Sequence, residues 1–160
     1  MASEGNIELN KGIPNIGDAF VVIVKTEWNA HIANALEEGV IAVFRQQGTR
    51  YKTIIVPGAV EIAFAVKTYA ASKEEKADAF ITLGTVIKGG TPHFEYVCKA
   101  VTEGVVWLNM NLEVPTIFGV LTVNTEQQAL ERIGGKEGHK GKEAAVTALK
   151  MIALQRSLLH

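Results

Sequence analysis

Phe20-Val21-Val22-Ile23-Val24 is the run that most restricts what this chain can become. Five consecutive apolar residues, four of them β-branched, have no polar face to turn to water. A strand of this kind has to be covered on both sides, as strands of parallel sheets are. Three more short runs repeat the theme: Tyr51-Lys52-Thr53-Ile54-Ile55-Val56, residues 79–85, and Thr116-Ile117-Phe118-Gly119-Val120-Leu121-Thr122, which Pro115 opens. Helical spacing separates them. Ile32, Leu36, Val40, Val43 and Phe44 follow Asn29, a candidate N-cap, and Gly48 closes that helix. Pro57-Gly58 turns the second run into a helix with Glu61 in its first turn and Ile62, Ala65, Val66 and Tyr69 on one face. Residues 73–76 read as a charged surface loop. Further helices are expected over 94–110, 126–132 and 142–158, with a glycine-and-lysine loop over 134–141. Alternating strands and helices predict an α/β domain with a parallel sheet and helices on both faces. Residues 20–160 read as this single domain. Residues 1–19, polar and glycine-rich with Pro14, read as a flexible arm in which Ile7-Glu8-Leu9 could add a short strand to a neighbour.

Composition narrows the function. The chain has 160 residues, 48% hydrophobic and 21% charged, with 16 basic against 17 acidic residues and a net charge of −1. That balance gives no footprint for nucleic acid or an anionic membrane. A single cysteine, Cys98, excludes an internal disulfide and a cysteine-rich zinc site, and its place within a helix makes it a small core residue. With no apolar signal segment at the start and no run of membrane length, the expected location is the cytoplasm.

In open α/β sheets ligands gather beyond the carboxyl ends of the strands. Three strand ends carry unusual residues here: Trp28, then Pro57-Gly58-Ala59-Val60-Glu61, then Gly84-Thr85-Val86-Ile87-Lys88-Gly89-Gly90-Thr91-Pro92-His93. In the last of these Gly89-Gly90 permits a positive φ and close approach of a ligand. Thr91 suits an N-cap and Pro92 the first helical position. His93 then sits beside free helix N–H groups that attract anions. The positive end of the dipole favours its neutral form, which can move protons. The stretch is not a P-loop, because Gly90 stands where that motif needs lysine, and no G-x-G-x-x-G follows a strand. Each residue also has a plain alternative. His93 reads equally as a surface histidine, Trp28 as cover for a helix start, Glu61 as a dipole-complementing acid, and the loop lysines as solvated. Arg132, beside the glycine-rich loop, is a better phosphate clamp than the lysines. The convergence of these residues is what defines a candidate site, for a small phosphorylated or heteroaromatic substrate.

The chain resembles the lumazine synthase family across nearly all of residues 20–158. The resemblance is carried by Trp28-Asn29, by Pro57 to Ile62, by the stretch 84–97, by Phe118 to Thr122, and by residues 126–141 with Glu131-Arg132 and Gly138-His139-Lys140-Gly141. It implies a three-layer α/β/α sandwich of flavodoxin-like fold with a central parallel four-stranded sheet. It implies condensation of 5-amino-6-(D-ribitylamino)uracil with 3,4-dihydroxy-2-butanone 4-phosphate, the penultimate step of riboflavin biosynthesis, with no metal and no cofactor. On that resemblance Trp28 stacks on the pyrimidine. Ala59, Val60 and Glu61 meet the ribityl chain and ring edge, and Val86 and Ile87 line the pocket. Gly90 and Thr91 form the phosphate turn, and His93 is the catalytic proton carrier. Phe118, Lys140 and the phosphate-binding Arg132 come from an adjacent subunit. The implied partners are the small-molecule substrates, other copies in a homopentamer or a sixty-subunit icosahedral shell, and riboflavin synthase, with neither nucleic acid nor membrane. A non-catalytic flavin-binding or shell-forming homologue is the alternative. Three departures stand out: Glu27 where arginine is common, Gly135 and His139 where threonine and asparagine are common, and the longer arm with Pro14.

Overall fold

The computed structural model describes Leu9 and residues 11–160. Four strands form one parallel sheet: β1 (Phe20–Thr26), β2 (Arg50–Val56), β3 (Ala79–Ile87) and β4 (Thr116–Val123), in the order β2-β1-β3-β4. The helices are α1 (Ala30–Gln47), α2 (Ile62–Ala70), α3 (His93–Asn111), α4 (Glu126–Leu130) and α5 (Lys140–Leu159). The predicted α/β sandwich is present, with β3 two residues longer than its sequence pattern indicated.

Alternation along β1 explains the five-residue apolar run. Val21 and Ile23 face one core with Ile32, Leu36, Val40 and Phe44 of α1 and Ala145, Val146, Leu149 and Ile152 of α5. Phe20, Val22 and Val24 face a second core with Ile62, Val66 and Tyr69 of α2 and Val101 and Leu108 of α3. Each residue of the run is buried because β1 lies between β2 and β3 and between two helical layers. A polar residue on either side of it would lose hydration with nothing in return.

Chain direction then fixes a switch point. From β1 the chain crosses by α1 to β2 on one side, and from β2 by α2 back over β1 to β3 on the other. Right-handed crossovers put α1 and α2 on opposite faces. The crevice where the two directions diverge opens at the carboxyl ends of β1 and β3.

Several local features differ from the sequence reading. Asn29 does not cap α1 through its side chain. It takes a left-handed conformation (φ 54°), and its amide nitrogen donates to the Thr85 carbonyl at 3.0 Å, tying β1's end to β3's. Residues 134–141 are not a plain loop. They hold a small antiparallel ribbon of β5 (Ile133–Gly135) and β6 (Gly138–His139), followed directly by α5. Gly134 (φ 109°) and Gly138 (φ 79°) make that turn possible, since a side chain at either would be strained. Gly48 does end α1 in the left-handed region, its N–H donating to Phe44 O. Within residues 9–19, Ile13 and Ile16 pack on the α1/α5 core, Ala19 is fully buried, and Lys150 donates to the Leu9 carbonyl. The suggested strand through Ile7 and Glu8 lies outside the described residues. Cys98 is half-buried in α3, where burial raises its thiol pKa. Among the described residues no helix is long and apolar enough to cross a membrane.

Candidate active site

Backbone hydrogen bonds draw the ends of β1 and β2 together, and the Asn29 side chain ties them to β3. Glu27 N donates to Val56 O at 2.8 Å and Trp28 N to Pro57 O at 3.0 Å, joining the exits of β1 and β2. Thr26 Oγ1 donates to the Trp28 carbonyl at 2.9 Å, and its side chain fills the space over Gly84. A Cβ at Gly84 would stand 2.9 Å from Thr26 Cγ2. A side chain at this position would therefore have to displace Thr26.

The cavity that results, about 530 Å³, lies at the switch point. Its walls include Trp28, Ala59, Val60, Glu61, Val86, Ile87, Thr91 and His93, all singled out from the sequence. A volume of this size suits a small heteroaromatic ligand. Trp28 is 74% exposed, so its indole stands over the opening as a free plate and does not cover the helix. Glu61 closes a single 3₁₀ turn, Ala59–Glu61, with its N–H donating to Gly58 O and its carboxylate folded back over Gly58. His93 opens α3 with Pro92, not Thr91, at the N-cap position, and no side chain caps the helix; Thr91 Oγ1 accepts only a long contact from the His93 N–H at 3.4 Å. Lys88 and Glu95 face each other across this helix start at 3.9 Å.

Gly89 and Gly90 serve in a different way from the one their sequence implies. Neither takes a positive φ. A Cβ at either would meet nothing within 4 Å, so what they contribute is open space before the helix N-terminus. An anion can approach the backbone N–H groups there without a side chain in the way.

Several lining residues had no site role in the sequence reading, among them Thr26, Asn29, Thr85, Phe94 and Val97. Asn29 and Thr85 line the wall beside Trp28. Thr85 is 4% exposed, and its hydroxyl has no hydrogen-bond partner among the described residues. Thr85 belongs to the stretch 84–97 singled out from the sequence, which gave this residue itself no role.

Phe118, Arg132 and Lys140 are elsewhere. They line a second cavity of about 610 Å³ against β4, together with Glu137 and Glu143, and the two cavities share no lining residue. β4 is one of the sheet's two outer strands, and Phe118 is 39% exposed on it. Arg132 donates to Gln128 O at 2.7 Å and lies 4.0 Å from Glu131. Lys140 pairs with Glu143 at 3.0 Å, and Glu143 is only 8% exposed. Glu143 was not foreseen, because an acid in a first helical turn is ordinarily a surface group. The chain thus presents two separate cavities. One is aromatic and ends at a helix N-terminus. The other carries a guanidinium and an ammonium suited to a phosphate. Among the described residues no group of three or more His, Cys, Asp and Glu could hold a metal ion.

Residues 18–156 match the family model of 6,7-dimethyl-8-ribityllumazine synthase. Proteins of that name are similar along nearly their whole length. The one from Porphyromonas gingivalis is 46% identical over 149 residues, 91% of each chain. The one from Parabacteroides distasonis is 44% identical over 143 residues, 88% of each chain. The one from Streptomyces coelicolor is 38% identical over 161 residues, covering 99% of this chain and 97% of its own.

Proposed function

The chain belongs to the 6,7-dimethyl-8-ribityllumazine synthase family, and from that premise we propose that it condenses 5-amino-6-(D-ribitylamino)uracil with 3,4-dihydroxy-2-butanone 4-phosphate. The products are 6,7-dimethyl-8-ribityllumazine, phosphate and water, and the reaction belongs to riboflavin biosynthesis. The observation that carries the reading is the single cavity that gathers Trp28, Glu61, Val86, Ile87, Thr91 and His93 at the strand switch point. It offers an aromatic plate, a carboxylate, an apolar floor and an anion-attracting helix start within one volume.

Each side chain then has a role. Trp28 stacks on the pyrimidine ring, with Val86 and Ile87 beneath it. Glu61 and the backbone at Ala59 and Val60 receive the ribityl hydroxyls and the ring edge. The open turn at Gly90 and Thr91 takes phosphate oxygens on backbone N–H groups. Arg132 of a neighbouring copy clamps the same phosphate, and Phe118 and Lys140 of that copy close the site. The substrate amine attacks the ketone to form an imine, phosphate leaves, and the second amine closes the ring. His93 shuttles the protons that these steps release and require. Orientation of two reactants supplies most of the acceleration, worth about 7–11 kcal/mol at best. These steps call for neither metal nor redox cofactor.

A site completed by a neighbour implies a head-to-tail contact, which closes into a ring. We take that ring to be a pentamer, free or as part of a sixty-subunit shell with riboflavin synthase as a possible passenger, working in the cytoplasm. Native mass separates the two assemblies.

The test is direct. Mixing both substrates with the protein is expected to generate the lumazine chromophore. Flavin binding without lumazine formation overturns the catalytic reading in favour of a binding protein. Trp28 gives a spectroscopic check. Its indole is expected to be quenched by bound lumazine, while Trp107, on α3 and outside the cavity, supplies an internal reference. Trp28→Phe keeps an aromatic face, so turnover falls by less than about tenfold, but most of the quench disappears. Undiminished quenching in that variant would place Trp28 away from the ring.

A further inference from the structure

Two glycines let α1 and α5 cross with almost no gap. A Cβ on Gly141 would lie 2.0 Å from Leu36 O, and one on Gly39 would lie 2.2 Å from His139 Cε1 and 2.5 Å from its Nδ1. Gly39 is therefore a notch in α1, and the His139 ring fills it. The ring is tied on its other side as well, since Nδ1 accepts from Lys142 N at 3.4 Å and so caps the start of α5.

His139 also ends the ribbon that separates Arg132 from Lys140. Ile133 pairs with His139 across that ribbon. Lys140 N donates to Arg132 O at 2.9 Å, and Glu137 N donates to Glu131 O at 3.0 Å. The backbones of Arg132 and Lys140 are thus joined directly, in a loop whose anchorage to the protein body includes one imidazole in one notch.

We propose that His139, seated against Gly39, is a positioning residue that holds Arg132 and Lys140 in register at the second cavity. The proposal rests on the phosphate-binding role given to Arg132 above. It adds that a side chain which touches no substrate sets the affinity for the phosphorylated one.

The seat also makes the position sensitive to protonation. Burial chiefly, and then Lys142, hold the imidazole below its ordinary value, while its own backbone hydrogen bond, Glu143 and Glu38 act in the opposite direction. Glu38 belongs to α1, Lys142 and Glu143 belong to α5, and on the β5 side a Cβ at Gly134 would stand 3.7 Å from the ring's Cδ2, with Ile133 paired to His139. A ring out of the seat has the higher, ordinary pKa. Seating is therefore complete above that value and weakens as pH falls through it towards the lowered one. Protonation also removes the Nδ1 lone pair that caps α5.

The experiment uses the assembled enzyme with Gly39→Ala, His139→Asn and the double variant. Gly39→Ala pushes the ring out of its notch, though alanine favours the helix itself. The apparent KM for the butanone phosphate is expected to rise roughly ten- to a hundredfold, with a smaller change for the pyrimidine. Asparagine is shorter and still offers a capping oxygen, so Gly39→Ala in the His139→Asn background is expected to have little effect. Equal effects in both backgrounds overturn the proposal. As pH falls, the wild-type KM for the phosphate substrate is expected to rise more steeply than that of His139→Asn. Ionisation of the substrate is common to both and cancels in the comparison. Superimposable profiles overturn the proposal, even if Gly39→Ala fails to fold. Hydrogen exchange at the Lys140 amide reports the lock without substrate. It is expected to accelerate in Gly39→Ala and not in the double variant, and unchanged protection overturns the lock. Failure of the underlying functional reading shows separately, as an Arg132→Ala enzyme whose KM for the butanone is unchanged while the Lys140 amide still responds to Gly39→Ala.

Discussion

His93→Ala is expected to lower kcat by about 10²–10⁴-fold, the usual range for a positioned proton carrier, with substrate affinity mostly retained. The ring is exposed at the first residue of α3 and has no hydrogen bond or ion pair among the described residues, so its loss leaves the rest of the cavity wall in place. Arg132→Ala is expected to act on the other parameter. A guanidinium on a phosphate makes charge-assisted hydrogen bonds worth about 1.5–3 kcal/mol each. Losing a fork of two raises the butanone KM about a hundredfold or more, and that of the pyrimidine far less. Because the two residues line different cavities, the two defects should complement. In rings co-refolded from equal amounts of the two variants, roughly one site in four pairs an intact His93 with an intact Arg132 from its neighbour. Activity near a quarter of the wild type is the expected result. Mixed rings no more active than the average of the two parents, with exchange confirmed by mass, would show that both residues serve a site within one chain.

Gly141→Ala is expected to give the largest loss of stability from a single methyl group. The added carbon would overlap the Leu36 carbonyl oxygen at 2.0 Å and its carbon at 2.8 Å. These are backbone atoms of α1, so no rotamer change relieves the clash and α5 has to shift as a body. Overpacking of this kind costs about 1–3 kcal/mol and sometimes more. In a domain of this size that is a fall in Tm of roughly 2–4 °C per kcal/mol. Gly90→Ala is the contrast: with open space at its Cβ and no positive φ, stability should change by less than about 0.5 kcal/mol. Its effect is expected on phosphate affinity. Thermal melts at one fixed protein concentration check both variants, since assembly contributes to apparent stability. Equal melting temperatures for Gly141→Ala and the wild type would rule out so tight a crossing of α1 and α5.

The sheet was legible because its information is local. Phe20 to Val24 leave no polar face, Gly48 stops α1, and the Thr91-Pro92 pair starts α3, each within a few residues. The cavity at the switch point was legible for a related reason: where a parallel strand ends, the following turn has to be near the ligand. The misreadings have a common cause in longer-range geometry. Asn29 has the composition of a cap, but Thr85, 56 residues away, claims its amide. Gly89 and Gly90 were credited with unusual backbone angles, whereas what matters is the space before them. The β5–β6 ribbon is too short for any periodicity to declare it, and it depends on Gly134 and Gly138. That Arg132 and His93 line different cavities is no misreading, since the resemblance assigns Arg132 to an adjacent subunit. That separation arises from the strand order, which puts β4 at the sheet's edge.

The two separate cavities bear on how the enzyme responds to dilution. A protomer can be correctly folded and still hold no complete site on the proposed reading, so folding and activity become separate events with different concentration dependence. Near the dissociation range of the ring, each complete site requires two subunits to meet. Specific activity would then decline with dilution while circular dichroism stayed constant. Synthesis below a threshold abundance would yield soluble, native and silent chains. The rate of the pathway step would accordingly rise more steeply than the amount of protein made.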